Sequence, residues 1–180
     1  MTVVHSISKA EIQDAEQIAA LVNSAYRGEF SKQGWTTEAD LVMGRRTETD
    51  EIEQLIATDD SMFLLCKVEA QLIGSVHLQK QADQVYLGML AVSPPLQGRG
   101  VGKQLLFAAE QAAQRTWAAN KLVMSVIASR SELIAFYERS GYRRTGVNKA
   151  FPLKPELWTP KFADLQLEIL EKILPTDGVF

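Results

Sequence analysis

Apolar residues recur at Ile12, Ala15, Ile18, Val22 and Ala25, the three- and four-residue spacing that turns one helix face toward a core. Ser8-Lys9-Ala10-Glu11 just before them reads as a capping box, and the run Val3 to Ile7 as a short strand. From Arg27 to Thr47 the periodicity fails. Gly28, Gly34 and Gly44 punctuate a polar stretch carrying Trp35, Arg45 and Arg46, the pattern of a functional loop with short helical pieces or of a flexible insert. Asp50 to Ala57 predicts a short helix with Ile52, Leu55 and Ile56 on one face. Met62 to Val68, Leu72 to Gln79 and Val85 to Val92 predict a three-stranded meander, turning at Glu69-Ala70-Gln71 and at Gln81 to Gln84. Ser93-Pro94-Pro95 stops the third strand, because proline cannot donate to a sheet ladder.

Gly98 to Trp117 predicts a long helix with Val101, Leu105, Ala108 and Ala112 inward. A strand follows at Lys121 to Ile127. The next helix runs Ser131 to Ser140 with Leu133, Phe136 and Tyr137 inward and Gly141 as its left-handed stop. Tyr142 to Lys149 predicts a strand, Pro152, Pro155 and Pro160 break up the next loop, and Leu165, Leu167 and Ile169 predict a last strand over Ala163 to Leu170. Helices and strands alternate without an internal repeat or linker. The expected fold is an α/β (α+β) single domain over residues 1–174, with a mixed, mostly antiparallel central sheet flanked by helices and a loose tail at 175–180.

Composition narrows the function classes. With 46% hydrophobic and 23% charged residues among 180, the chain is neither disordered, collagen-like nor a disulfide scaffold. A net charge of −3 lacks the basic footprint of non-specific nucleic-acid binding, so no nucleic-acid partner is expected. No apolar run approaches the roughly 20 residues of a membrane span, and the first residues lack the basic and apolar regions of a signal peptide. The single cysteine, Cys66, excludes an internal disulfide and reads as a small buried hydrophobe, which points to a reducing cytoplasm. Two histidines and one cysteine leave little for a zinc site, and no metal is expected.

The segment Gln97-Gly98-Arg99-Gly100-Val101-Gly102-Lys103 joins a predicted strand to a predicted helix. The first N–H groups of a helix lack internal partners, and the helix dipole adds positive potential there. A phosphate or pyrophosphate is the natural ligand of such a turn. Arg99 and Lys103 add mobile charge. The Gly-Lys-Ser/Thr ending of a Walker loop and the three-glycine spacing of the dinucleotide fold are both absent.

Gln97-x-x-Gly100-x-Gly102 after Leu90-Ala91-Val92-Ser93-Pro94, together with Ala135-Phe136-Tyr137-Glu138-Arg139-Ser140-Gly141-Tyr142, resembles the GCN5-related N-acetyltransferase (GNAT) superfamily. The resemblance covers about residues 60–150 closely and the N-terminal helices more loosely. It implies transfer of an acetyl group from acetyl-CoA directly to the primary amine of a small metabolite or peptide. It implies that backbone N–H groups from Gln97 to Lys103 hold the CoA pyrophosphate and that Leu90 and Val92 pair with the pantetheine arm. In the family that strand splays from the next one, here Lys121 to Ile127, and the cofactor wedges between them. Tyr137 falls on the tyrosine that serves as general acid toward the departing thiolate. Seven residues before it the family often carries asparagine; here stands Arg130, placed to reach a CoA phosphate or to cap the helix. A non-catalytic acyl-CoA sensor on the same fold is the alternative.

The acceptor side is less legible. The attacking amine must first lose a proton. His77 is the mid-chain histidine, and its alternation with Val76 and Leu78 places it facing solvent or a cleft, where it is a candidate base. Glu38 and Asp40 are the other candidates. Trp35 is a candidate apolar wall, Arg45 or Arg46 a candidate carboxylate holder, and Phe151 to Pro160 with Trp158 a candidate second wall. The same loop also reads as purely structural. Pairing of the last strand or the tail with a second subunit leaves a homodimer open.

Overall fold

The computed structural model describes residues 5–176. Nine strands run β1 (His5–Lys9), β2 (Val42–Gly44), β3 (Ser61–Val68), β4 (Gln71–Gln81), β5 (Gln84–Val92), β6 (Lys121–Ile127), β7 (Arg143–Ala150), β8 (Trp158–Pro160) and β9 (Gln166–Ile173). Five α-helices are α1 (Ala15–Tyr26), α2 (Gly28–Ser31), α3 (Thr49–Ala57), α4 (Val101–Trp117) and α5 (Ser131–Arg139). Seven strands form one sheet in the order β1-β3-β4-β5-β6-β9-β7, and β2 pairs with β8 in a second, two-stranded sheet. Within the large sheet only β5 and β6 run parallel. The expected α/β fold with a mixed, mostly antiparallel sheet is the observed one.

Both faces of the sheet are covered, and the alternation along β3 shows how. Phe63 and Leu65 pack with Ile18, Val22 and Ala25 of α1 and Ile52 of α3. Met62, Leu64 and Cys66 pack on the other face with Leu105, Leu106 and Ala109 of α4 and Ile134 of α5. Burying a Leu or Phe side chain removes about 1.5–3 kcal/mol of unfavourable water contact, so these two layers hold the sheet between helices.

Several boundaries differ from the sequence reading for physical reasons. Ser8 and Lys9 belong to β1, and the capping box sits at Glu11, whose N–H donates to the Asp14 carboxylate at 2.8 Å. Ile12 therefore lies in a 3-10 turn and is 49% exposed rather than inward. Residues 3 and 4 of the expected first strand, and 177–180 of the expected tail, lie outside the described residues. Helix α4 begins at Val101 and not at Gly98, and it buries Val101, Leu105, Leu106, Ala109 and Ala113 in place of Ala108 and Ala112. In α5 Ile134 is buried where Phe136 was expected. The last strand starts at Gln166, three residues later than expected. Strands β2 and β8 are three residues each and carry no periodic signal.

Candidate active site

The parallel pairing of β5 with β6 is confined to Val85 with Leu122 and Tyr86 with Val123. Beyond Tyr86 the two strands part. The register of β4 against β5 shifts between Ser75 and His77, and Met89 opposite takes a left-handed φ of +47°. A bulge of this kind bends the strand and increases its twist. The edge of β5 from Leu87 onward is thus left without a strand partner, and two cavities open along it, of about 350 and 160 Å³. Tyr26, Leu90, Leu133 and Tyr137 line both and form the waist between them.

The larger cavity is bounded by the glycine-rich turn. Gly98 and Gly100 have φ of +78° and +86°, and a Cβ at either would meet nothing within 4 Å. Their conformation, together with the open space, leaves the backbone facing a ligand at close range. Gln104 N–H is the first in α4 to find an acceptor, Gly100 O at 3.0 Å. The N–H groups of residues 98–103 find none among the described residues. Unpaired N–H groups at the start of a helix form an arrangement suited to an anion. Lys103 and Arg139 line the same cavity. Phosphates of a nucleotide and the extended arm attached to them fit this cradle and the unpaired β5 edge.

Gln97 holds the rim rather than the ligand. Its Oε1 accepts from the N–H groups of Trp35 (2.8 Å) and Thr36 (3.2 Å), and its Nε2 donates to Thr36 Oγ1 (2.9 Å) and Val92 O (3.0 Å). A Cβ on Gly34 would fall 2.3 Å from Gln97 Oε1, so a side chain there would push the Gln97 amide out of this arrangement. Arg130 donates to Trp35 O (2.9 Å) and Thr36 O (3.1 Å) and lines neither cavity. Two side chains from distant segments thereby fix the same loop.

The lining of the smaller cavity includes charged side chains. Arg27, 6% exposed, donates from Nη2 to Glu38 Oε2 at 3.2 Å. Its Nε and Nη1 are buried without a partner. Burial lowers the Arg27 pKa, and Glu38 raises it back in part. Arg46 lines the cavity beside them. The guanidiniums of Arg27 and Arg46 lie 5.6 and 5.7 Å from the ring centre of Trp158, whose Nε1 donates to Pro152 O at 2.9 Å.

Tyr137 stands at the junction. Its ring is 5% exposed and packs edge-on against Phe136 and Tyr142, with centroids 5.3 and 5.9 Å apart. Burial holds its phenol well above the ordinary value of 10, and the nearby Tyr26 adds to the shift. The Tyr26 hydroxyl donates to Leu90 O across the waist, whereas the Tyr137 hydroxyl has no hydrogen bond to the described residues.

The structure therefore brings together Leu90, Val92, Gln97, Gly98, Gly100, Val101, Gly102, Lys103, Trp35 and Tyr137 around the larger cavity, and Glu38 and Tyr137 in the smaller one. Trp35 lines the larger cavity, edge-on to Phe136 at 5.7 Å, and not the smaller one. Arg99 is exposed and lines neither cavity. Arg45 points away, pairing with Glu48 at 2.6 Å. His77 faces neither solvent nor cleft. It is 6% exposed, its Nε2 lies 2.8 Å from Ser61 Oγ, and its ring stacks on Phe63 at 4.6 Å. Burial lowers its pKa to about 4. β4 lies in the middle of the sheet with both faces covered, so alternation carries no information about exposure there. Tyr26 and Arg27 were not found from the sequence, because a Tyr-Arg pair at a helix end looks like any helix terminus.

A family model described as acetyltransferase (GNAT) domain matches residues 13–151. No curated protein matches the chain. Among solved structures, an N-acetyltransferase from Staphylococcus aureus Mu50 is 13% identical, covering 94% of this chain and 97% of that one with a TM-score of 0.71. A chimera of the Vibrio cholerae spermidine N-acetyltransferase SpeG and hSSAT is 16% identical over 94% of this chain and 95% of that one, TM-score 0.67. An IAA acetyltransferase from Bacillus cereus ATCC 14579 is 16% identical over 95% of this chain and 100% of that one, TM-score 0.66. Among the described residues no helix is long and apolar enough to cross a membrane.

Proposed function

The chain belongs to the acetyltransferase (GNAT) family, and from that premise we propose that it moves an acetyl group from acetyl-CoA to a primary amine while both substrates are bound together. The observation that carries this reading is the Tyr137 hydroxyl, without a protein partner at the waist between an anion cradle and a second, polar cavity. Acetyl-CoA supplies the activated thioester. The N–H groups of residues 98–103 and the Lys103 ammonium hold its phosphates, and the unpaired edge of β5 at Leu90 and Val92 receives its arm.

The smaller cavity takes the acceptor. Its amine loses a proton before attack to Glu38, the candidate base that lines this cavity, directly or through water; no histidine lines either cavity. The amine nitrogen then forms its bond to the carbonyl carbon as the carbon–sulfur bond breaks. Tyr137 Oη gives its proton to the departing sulfur. Burial keeps that phenol protonated at neutral pH, the state a general acid requires. Holding both reactants at one waist replaces a bimolecular encounter by an oriented one.

The test is thiol release from acetyl-CoA with a panel of primary amines, beside calorimetric binding of acetyl-CoA to wild type and Gly100→Glu. The glutamate side chain would enter the open space at the cradle with a negative charge. Tight binding abolished by the substitution, with amine-dependent release in the wild type, is the expected result. Binding without release for any amine would favour an acyl-CoA sensor, and no binding by folded protein would remove the reading altogether.

A further inference from the structure

We propose that the acceptor carries a carboxylate as well as its amine, as a free amino acid does, and that Arg27 and Arg46 hold this carboxylate against Trp158. The inference rests on the acetyl-transfer reading above and names its substrate class. It begins from an imbalance. Arg27 is buried, yet only one of its three nitrogens has a partner. Buried donors without partners are strongly unfavourable, so a ligand that supplies acceptors is stabilised there.

The charges around the smaller cavity are Arg27, Arg46 and Glu38, a formal balance of one positive charge. Arg46 has no ion-pair partner among the described residues. Glu38 uses one oxygen on Arg27 Nη2, which fixes the guanidinium and leaves Nε and Nη1 unspent. Trp158 is a shared platform. Arg27, Arg46 and the Lys154 ammonium at 5.5 Å all lie near its ring. An aromatic ring attracts guanidiniums without using their N–H groups, which remain free for the two oxygens of a carboxylate.

The same arrangement disfavours other amines. A polyamine would bring a second ammonium toward two guanidiniums, a like-charge juxtaposition that selects against it. A cavity of about 160 Å³ suits a small acceptor. Leu90 and Tyr137 line the same cavity as the two arginines, so an acceptor held there by its carboxylate presents its amine within the space they enclose.

The test reads products, so it does not depend on turnover. With the protein saturated by CoA, a set of N-acetyl amino acids, the matching N-acetyl amino-acid amides and N-acetylspermidine are titrated calorimetrically. The wild type is expected to bind the carboxylates at least about tenfold more tightly than their neutral amides, and Arg46→Gln to lose most of that preference with CoA affinity retained. Arg27→Gln should do the same; if it fails to fold, Arg46→Gln carries the test. Equal binding of amides and carboxylates, tighter binding of N-acetylspermidine, or a preference that survives Arg46→Gln would overturn the proposal. Turnover of spermidine but not of amino acids would sink this inference and leave acetyl transfer standing. Absence of release with every amine would sink the acetyl-transfer reading, while the titration would still decide the carboxylate preference.

Discussion

Acidification tests whether His77 is a structural imidazole. Burial holds its pKa down at about 4, with the Arg46 charge adding to the shift and Glu51 opposing it, against an ordinary value of 6.5 in the unfolded chain. A depressed folded pKa means that the unfolded chain takes up the proton first. The neutral ring's contribution is therefore complete above pH 6.5 and is lost as pH falls toward about 4. That interval of about 2.5 pH units, at about 1.36 kcal/mol each, amounts to about 3 kcal/mol. The measurement is urea unfolding of wild type and His77→Gln at a series of pH values from about 7.5 to about 4. Glutamine removes the titration while keeping a polar group near Ser61 Oγ, 2.8 Å from the imidazole nitrogen. Carboxylates titrate in both proteins, so the difference between them isolates the histidine. The wild type should lose about 3 kcal/mol more than the variant across the interval, and turnover near neutral pH should be the same in both. Parallel loss of stability, or an imidazole titrating near 6.5 by NMR, would refute the reasoning. A large fall in turnover would return His77 to the list of bases.

Three further outcomes follow from the site. Tyr137→Phe should lower kcat by about 100-fold or more with a stability change within about 1 kcal/mol, because the missing hydroxyl bonds nothing in the protein; steady-state kinetics and thermal unfolding check both halves. Gln97→Ala removes four hydrogen bonds that pin Trp35, Thr36 and Val92, so stability should fall by about 2–3 kcal/mol. Hydrogen exchange should quicken at the Trp35 and Thr36 amides first. Arg45→Ala breaks only an exposed pair with Glu48, so stability by urea unfolding should stay within about 0.5 kcal/mol and turnover unchanged.

The elements most legible in the sequence are those with one dominant physical signal. The meander β3-β4-β5 consists of apolar runs punctuated by turns, and the glycine-rich turn sits between a strand and a helix. The face of α4 was misjudged because alanines stand at 108, 109, 112 and 113, so two adjacent faces look equally apolar. Packing against β3, β4 and β5 is what selects Ala109 and Ala113. Arg130 illustrates a different limit. A positive side chain ahead of a helix suggests a phosphate, yet its partners are two carbonyls some 95 residues away in sequence. Long-range choices of this kind depend on which segments the fold brings together, and no local pattern records them.

The two cavities are built from different material. The proposed phosphate cradle uses backbone N–H groups and positive φ at Gly98 and Gly100, and the proposed arm site uses a strand edge freed by a bulge. Such features survive wide sequence divergence, because many side-chain sets fold to the same backbone. The relatives with the same fold share few residues with this chain, as that construction allows. The proposed acceptor cavity depends instead on side chains: the buried Arg27, the Glu38 that orients it, Arg46 and the Trp158 ring near both guanidiniums. Its chemistry cannot be carried over from a neighbour that acts on spermidine, since exchange of one charged residue reverses what it attracts. The acceptor we propose is accordingly read from the chain's own charges, which favour an anion beside the amine.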